Sequence, residues 1–418
     1  MHHRSGSASL PLHAGRVPPW LSSRMEALGR VIVEAIVLEY GRDELLRRLA
    51  HPFWFQSFGA VMGMDWHSSG ITTAVIAALK RGLAPIQREL GLYVCGGKGA
   101  HSRRTPEELL RIGETTGLDA ERLVVASRLT AKIDAAAVQD GFELYLHAFI
   151  ASIEGRWCVV QQGMNEGLRE ARRYHWQSEN LPGFFASPHS AVEGRNIGLI
   201  VNLSDVRAER NRRAELELVR GGPDKAIEVL RRSRRSGNLA LPLFPQGDTE
   251  VGQLTRMSLP HHHDVRASDV ELRRLHGTLA AAAERKLGDF ADLLLSPGVG
   301  ARTVAALAFV AEVVYGAPSR FSDPARFSLA HGGKDGQPFP VLITVYDETI
   351  RVLKRAVGRA HLGSSETLAA LRRLDAQARV LESAGGPAFD SFIANEARNA
   401  QRLGGRTTIA FAGPARRP

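Results

Sequence analysis

The chain has 418 residues, 44% of them apolar, with 54 Lys and Arg against 44 Asp and Glu, a formal charge of +10 and a pI near 10. A chain of that length and apolar content is globular with room for two or three domains, and its basic balance makes a polyanion the first partner to consider. Cys95 and Cys158 are too few for a disulfide framework or a cysteine zinc site and suit a reducing cytoplasm; the opening MHHRSGSASLPLHAGRVPPW lacks the apolar stretch of a secretory signal, and the longest apolar-rich run, Val304 to Tyr315, is too short for a bilayer span and is broken by Glu312.

After a Pro-rich lead-in over 1–19, apolar residues at Leu28, Ile32, Ala35, Ile36 and Leu38 predict an amphipathic helix from Trp20 to Glu39 that ends at Gly41. A short helix from Asp43 to Ala50 is expected to stop at Pro52. The apolar run GAVMGM from Gly59, the polar DWHSSG, the helical ITTAVIAALKRGL and then LYVC with a GGKG loop follow a strand, loop, helix, strand order, which points to an α/β unit. Thr105, Pro106 and Glu108 form a capping-box helix start, and FELYLHAFI and RWCVVQQ, separated by the turn residues SIEG, predict an antiparallel hairpin. Residues 20–205 are thus an α/β or α+β domain.

Residues 207–235 hold ten basic and five acidic side chains, a net +5 concentrated in one arginine-rich segment broken at Gly221-Gly222-Pro223. Such a segment is as readily a solvated helical pair as a phosphate-contacting face. The helical pattern lapses between Gly237 and Ser268, so 206–267 are assigned to arginine-rich helices and a linker. A mainly helical domain then covers 268–385, interrupted near His331 and followed by a tail over 386–418.

Leu294 to Leu307 reads LLSPGVGARTVAAL. One helix ends, a Pro-Gly-x-Gly turn lets backbone approach a phosphate, and a new helix opens with unpaired N–H groups. The segment resembles the helix-hairpin-helix of DNA-repair proteins, with Gly298, Gly300, Arg302 and Thr303 as phosphate contacts and Val304, Leu307, Ala308 and Ala311 facing the preceding helix. In the glycosylase branch of that superfamily a catalytic Lys often stands where Arg302 is and an Asp follows. Here the Lys is absent and Asp323 is loosely placed, which argues against a lyase-type glycosylase. The HGGKDG loop from His331 offers Lys334 as a second phosphate contact or a plain solvent turn.

For chemistry, Asp65 stands at the expected end of a strand and can ligate a divalent ion or activate water, His67 can shuttle a proton, and Ser68 or Ser69 can bind phosphate or simply cap the helix. The GGKGAHSRR stretch brings Lys98, Arg103 and Arg104 towards an anionic substrate; its spacing is not that of a Walker loop, so no nucleotide cofactor is implied. Asp134 and Asp140 complete a carboxylate set with Asp65 for metal-assisted hydrolysis by Mg or Mn, provided that they converge, and Glu143 and the amides of Gln161 and Gln162 lie nearby. His261, His262 and His263 could ligate a transition metal, but adjacent imidazoles do not share one helical face, so a loop run is expected, and Arg172-Arg173-Tyr174-His175-Trp176 can stack on unpaired bases or pack at a core edge.

Taken together, DWHSSGITT, GGKGAHSRRTPEE, VVQQGMN, RRYHW, the hairpin and HGGKDG are similar to the domain-of-unknown-function family numbered 763, from about Leu12 to Leu381. That resemblance implies a hairpin-bearing, DNA-associated protein and carries no catalytic residues with it. The expected activity is that of a DNA-binding, metal-dependent nuclease or repair hydrolase, with a monofunctional base-excision glycosylase or a non-catalytic DNA-binding scaffold as the alternatives.

Overall fold

The computed structural model describes residues 10–11, 17, 19–64, 69–224, 226–228, 272–285, 287–325 and five positions between 351 and 358. The N-terminal layer is helical. It comprises α1 (Pro19–Tyr40), α2 (Arg42–Leu49), α3 (Pro52–Val61), α4 (Ser69–Leu83) and the single turn α5 (Gln87–Leu90). The stripe expected on α1 is buried at Leu28, Ile32 and Ile36, but Leu38 is exposed. Gly41, at φ 87°, turns the chain from α1 into α2. Pro52 starts a helix rather than only ending one: it occupies the first turn of α3, capped by His51 Nδ1, which accepts from the Trp54 amide at 3.4 Å.

The strand expected at GAVMGM is instead the end of α3 and the turn after it. Trp54, Phe55, Phe58 and Val61 are all fully buried, so α3 has no polar face to mark the helical period, and its final residues look like a short core strand in sequence.

Four long strands form the centre of the molecule: β2 (Leu92–Lys98), β4 (Glu143–Ser152), β5 (Trp157–Asn165) and β6 (Glu170–Gln177). With the short strands β1 (Leu10–Pro11) and β7 (Ala191–Glu193) both on the free side of β6, the order is β1-β6-β5-β4-β2, and every pair is antiparallel. The sheet is therefore of the α+β kind, without the parallel crossover that the strand-helix-strand order suggested. Gly96 and Gly97, expected in a loop, lie within β2. Gly96 is at φ 83°, and a Cβ there would sit 2.2 Å from the His147 carbonyl oxygen.

The outer edge of β2 is closed by side chains. Glu108 Oε2 accepts from the Gly96 amide at 2.7 Å, and Lys80 Nζ donates to the Gly96 carbonyl at 2.7 Å and pairs with Glu108. Glu108 is thus spent on the sheet rather than on a capping box. Thr105 Oγ1 donates to the Ser102 carbonyl, and α7 (Thr105–Thr116), preceded by the turn α6 (Ala100–Arg103), begins without a side-chain cap.

The sheet's two faces carry separate cores. Leu92, Val94, Leu146, Ala148, Ile150, Cys158 and Val160 face α1 to α4. Cys95, Phe149, Val159, Tyr174 and Trp176 face the second layer. That layer contains α7, α8 (Ala120–Lys132), a π-helical turn (Ile133–Ala137), α9 (Glu209–Arg220), α10 (Leu272–Ala283), α11 (Phe290–Leu295) and α12 (Ala301–Tyr315). A small sheet, β3 (Val138–Gln139), β8 (Leu199–Asn202) and β9 (Arg320–Ser322), is also antiparallel.

One continuous core runs from Cys95 to Ala325 and includes the helices of 272–315, which pack on α8, α9 and the π-helical turn. Strand β9, in a stretch expected to be helical, ties their far end to β8. Of the arginine-rich segment, α9 and the turn at Gly221 and Gly222 are as expected.

Candidate functional site

Polar side chains gather at one end of the central sheet, where β2 and β5 end and β4 and β6 begin. Two neighbouring rows cross the strands there. Gly97, His147, Gln161, Tyr174 and Val192 are successive Cα partners, as are Lys98, Leu146, Gln162, Arg173 and Glu193. Adjacent residues of a strand point to opposite faces, so the first row faces the α7 to α12 layer and the second faces α1 to α4.

On the first face the hydrogen bonds fix their own direction. Gln161 Nε2 donates to the Thr130 carbonyl at 3.2 Å and to Asp134 Oδ2 at 2.6 Å, which uses both hydrogens and leaves Oε1 to accept. His147 Nδ1 therefore holds the ring proton and donates to that oxygen across 2.8 Å, and its Nε2 accepts from Ser127 Oγ at 2.8 Å. Burial holds the His147 pKa below its usual value, against the opposing influence of Gln161 and Asp134. Asp134 also accepts from Trp176 Nε1 at 2.9 Å and His189 Nε2 at 2.5 Å. Ser127, His147, Gln161 and Asp134 are all at most 5% exposed, so the chain of bonds orders the core and offers no open nucleophile.

Asp140 anchors a second cluster. Arg172, 0% exposed, pairs with Asp140 at 2.7 Å and with Asp323 at 2.7 Å, and donates to the Arg195 carbonyl; Tyr174 donates its hydroxyl to Asp140 at 2.6 Å. Burial, together with the Asp323 charge, raises the Asp140 pKa while Arg172 and Tyr174 oppose the rise. Asp323, loosely placed in sequence, is thus a fixed partner of Arg172. The RRYHW run lies wholly inside the sheet, so it packs the core and is not a surface for stacking bases.

Asp134 and Asp140 do not fit a divalent-ion site. Their oxygens are committed to Gln161, Trp176, His189, Arg172, Tyr174 and the Phe142 amide, an arrangement with donors where a cation would have to sit. Among the described residues no group of three His, Cys, Asp or Glu is arranged to hold a metal. Lys98 points to the other face, with its Nζ 5.6 Å from the Tyr145 ring centre, so the sheet separates it from both carboxylates. Arg103 and Arg104 are exposed beside the end of β2. Asp65, His67, Ser68, Lys334 and His261 to His263 lie outside the described residues.

The glycine turn joins α11 to α12. Asp289 caps α11 by accepting from the Asp292 amide at 2.9 Å, and the chain then turns through Ser296 to Gly300. Gly298 is at φ 81°, where its missing Cβ leaves room 3.2 Å from Thr278 Oγ1, and Gly300 precedes α12 in an extended conformation with no side-chain cap. Pro297, Gly298, Ala301 and Arg302 are exposed, and Thr303 is 9% exposed. Val304, Leu307, Ala308 and Ala311 are buried. The turn is held from behind by Lys132, which donates to the Val299 carbonyl at 2.5 Å, and by Gln139, which donates to the Ala301 carbonyl at 2.9 Å.

His189, Ser127 and Tyr145 give no sign of themselves in the sequence. The paired polar residues Gln161-Gln162 and Arg172-Arg173 inside apolar strands do, since each pair must place one member on each buried face. No curated protein and no solved structure matches the chain. A family model described as a protein of unknown function, DUF763, matches residues 6–341, and the chain belongs to that family.

Proposed function

We propose that the protein binds nucleic acid, DNA foremost, by a helix-hairpin-helix contact of Gly298, Gly300 and Arg302 with the phosphate backbone. The observation that carries this reading is the exposure of Pro297, Gly298, Ala301 and Arg302 at the start of a 15-residue helix whose N-terminus has no side-chain cap. Unpaired amides and the positive end of the helix dipole attract an anion there, and the chain's formal charge of +10 favours a polyanion as its source. Lys132 and Gln139 hold the turn through the Val299 and Ala301 carbonyls, and the Val299 amide donates to the Ser296 carbonyl at 3.2 Å, which fixes the backbone in front of α12. A hydrolytic activity would have to draw its chemistry from residues other than Asp134 and Asp140, because both carboxylates are bound by their own protein. The reading favoured here is therefore binding first, with a catalytic role carried by neither of these two residues.

Gly300 gives a clean test. A Cβ at this position meets nothing within 4 Å, and the backbone at φ −138° accepts any residue, so Gly300→Ala leaves the fold intact while placing a methyl group where the phosphate must approach. Fluorescence anisotropy with a labelled duplex should show weaker binding by Gly300→Ala and by Arg302→Ala, each with the melting temperature of the native protein. Native affinity in both variants would defeat the proposal.

A further inference from the structure

Three exposed arginines lie beside the hairpin turn with no carboxylate to pair them. Helices α7 and α8 are joined by Gly117 to Asp119 and run antiparallel: Gly113 of α7 lies against Ala120 of α8, and the far ends of the two helices meet again over the end of β2. Thr105, the first residue of α7, stands there against Gly96, and Ser127 of α8 bonds to His147, the Cα partner of Gly97. Arg104 precedes Thr105 and Arg128 follows Ser127, so Arg103, Arg104 and Arg128 share one corner of the molecule. All three are exposed, and none forms an ion pair or a side-chain hydrogen bond with another described residue. Glu107, the exposed acid in the first turn of α7, is taken by Arg111, and Glu108 by Lys80.

The same corner adjoins the hairpin turn. Lys132, one helical turn after Arg128 on the same face of α8, donates to the Val299 carbonyl just before α12, whose first turn carries the exposed Arg302. A helical turn rises about 5 Å and packed helices lie about 8–10 Å apart, so Arg103, Arg104, Arg128 and Arg302 fall within a span on the order of 20 Å, less than one turn of duplex DNA at about 34 Å. Guanidinium groups without a carboxylate of their own suit phosphate oxygens, and several of them spread over such a span suit a chain of phosphates better than one small anion.

We infer that Arg103, Arg104 and Arg128 make a second contact with the phosphate backbone of the duplex that the hairpin turn grips, so that the DNA lies from the start of α12 across the joined ends of α7 and α8. The inference rests on the nucleic-acid reading above and gives it a footprint and three further binding residues.

The test measures the affinity of the full chain for a labelled duplex of about two helical turns between about 50 and 200 mM salt. Each phosphate contact contributes about 0.9 to the log-log slope, so Arg128→Gln should make the slope shallower by about one, and the triple variant with Arg103→Gln and Arg104→Gln by about three. Arg122→Gln removes the same charge from the exposed first turn of α8 and should leave the slope as it is. All these variants should melt with the native protein, because the replaced side chains bond to no described residue. An equal change in Arg122→Gln and Arg128→Gln would mean that net charge alone acts, and a native slope in the triple variant would mean that this corner touches no phosphate. Either result overturns the inference and, if Arg302→Ala still flattens the slope, leaves the hairpin reading standing. A flat salt dependence in the native protein would overturn both.

Discussion

Replacing Asp134 by Ala removes the acceptor for three donors at once: Gln161 Nε2, Trp176 Nε1 and His189 Nε2. Gln161 keeps one partner in the Thr130 carbonyl, but the indole of a fully buried Trp176 and the side chain of His189, 5% exposed, lose the only partners shown for those nitrogens. A buried donor left unpaired costs about 1–3 kcal/mol, so the substitution should cost about 4 kcal/mol, less than a plain sum because the three bonds share one carboxylate. A domain is stable by about 5–15 kcal/mol, so this is a large share of the total. A metal-ligating carboxylate would behave in the opposite way, since removing it relieves charge repulsion in the free protein. Urea denaturation followed by tryptophan fluorescence measures the change, with the exposed Glu121→Ala as control. A loss under about 1 kcal/mol would refute the structural role assigned to Asp134.

Arg172→Met should cost about 3–5 kcal/mol by the same measurement, because it leaves Asp140 and Asp323 buried without their cation. Gly298→Ala forces a side chain into the left-handed region beside Thr278 and should cost about 1–2 kcal/mol, against no loss for Gly300→Ala; equal melting temperatures for the two variants would contradict this. Glu215 is buried with both carboxylate oxygens unpaired, and burial raises its pKa well above 4.5 despite Arg212. Its contribution to stability is fully present below 4.5 and is lost as pH rises through the raised folded value, so the advantage of Glu215→Gln should grow with pH above 4.5 by up to about 1.4 kcal/mol per unit. A pH-independent difference would show that the carboxyl ionises freely in the folded chain. Buried His147 and His175, whose pKa values are lowered mainly by burial, act in the other direction: their contribution is present above 6.5 and is lost as pH falls through the lowered folded values, so urea midpoints should drop on acidification, and less so in His175→Gln.

Helix periodicity carried much of the fold. Stripes on α1 and apolar positions on α4 and α12 are legible because each helix has either one wet face or clear caps, and the β4–β5 hairpin is marked by β-branched and aromatic residues around Ser152 to Gly155. Helix α3 was not legible, since it is buried on all sides and shows no alternation. Sheet direction was not legible either: a strand, helix and strand in order say nothing of whether β2 finds β4 in antiparallel register, and the sealing of Gly96 by Glu108 and Lys80 depends on contacts 12 and 16 residues away in sequence.

The candidate site divides in the same way. The turn from Ser296 to Gly300 is a local matter of Gly298 and Gly300 and of Asp289, which caps α11 before it. The carboxylates are a long-range matter. Asp134 and Asp140 lie near each other in sequence, but their roles are set by Gln161, Trp176, His189, Arg172 and Asp323, residues 27 to 183 positions away. Only the pairing of strands shows that Lys98 belongs to the opposite face and to the row of Gln162 and Arg173.

The most direct test of backbone binding is the affinity of the purified chain for a short duplex, measured between 50 and 200 mM salt. Binding through the exposed turn predicts a log-log slope that is clearly negative and that becomes shallower by about one in Arg302→Ala. A flat dependence, or the same slope in both proteins, would contradict it.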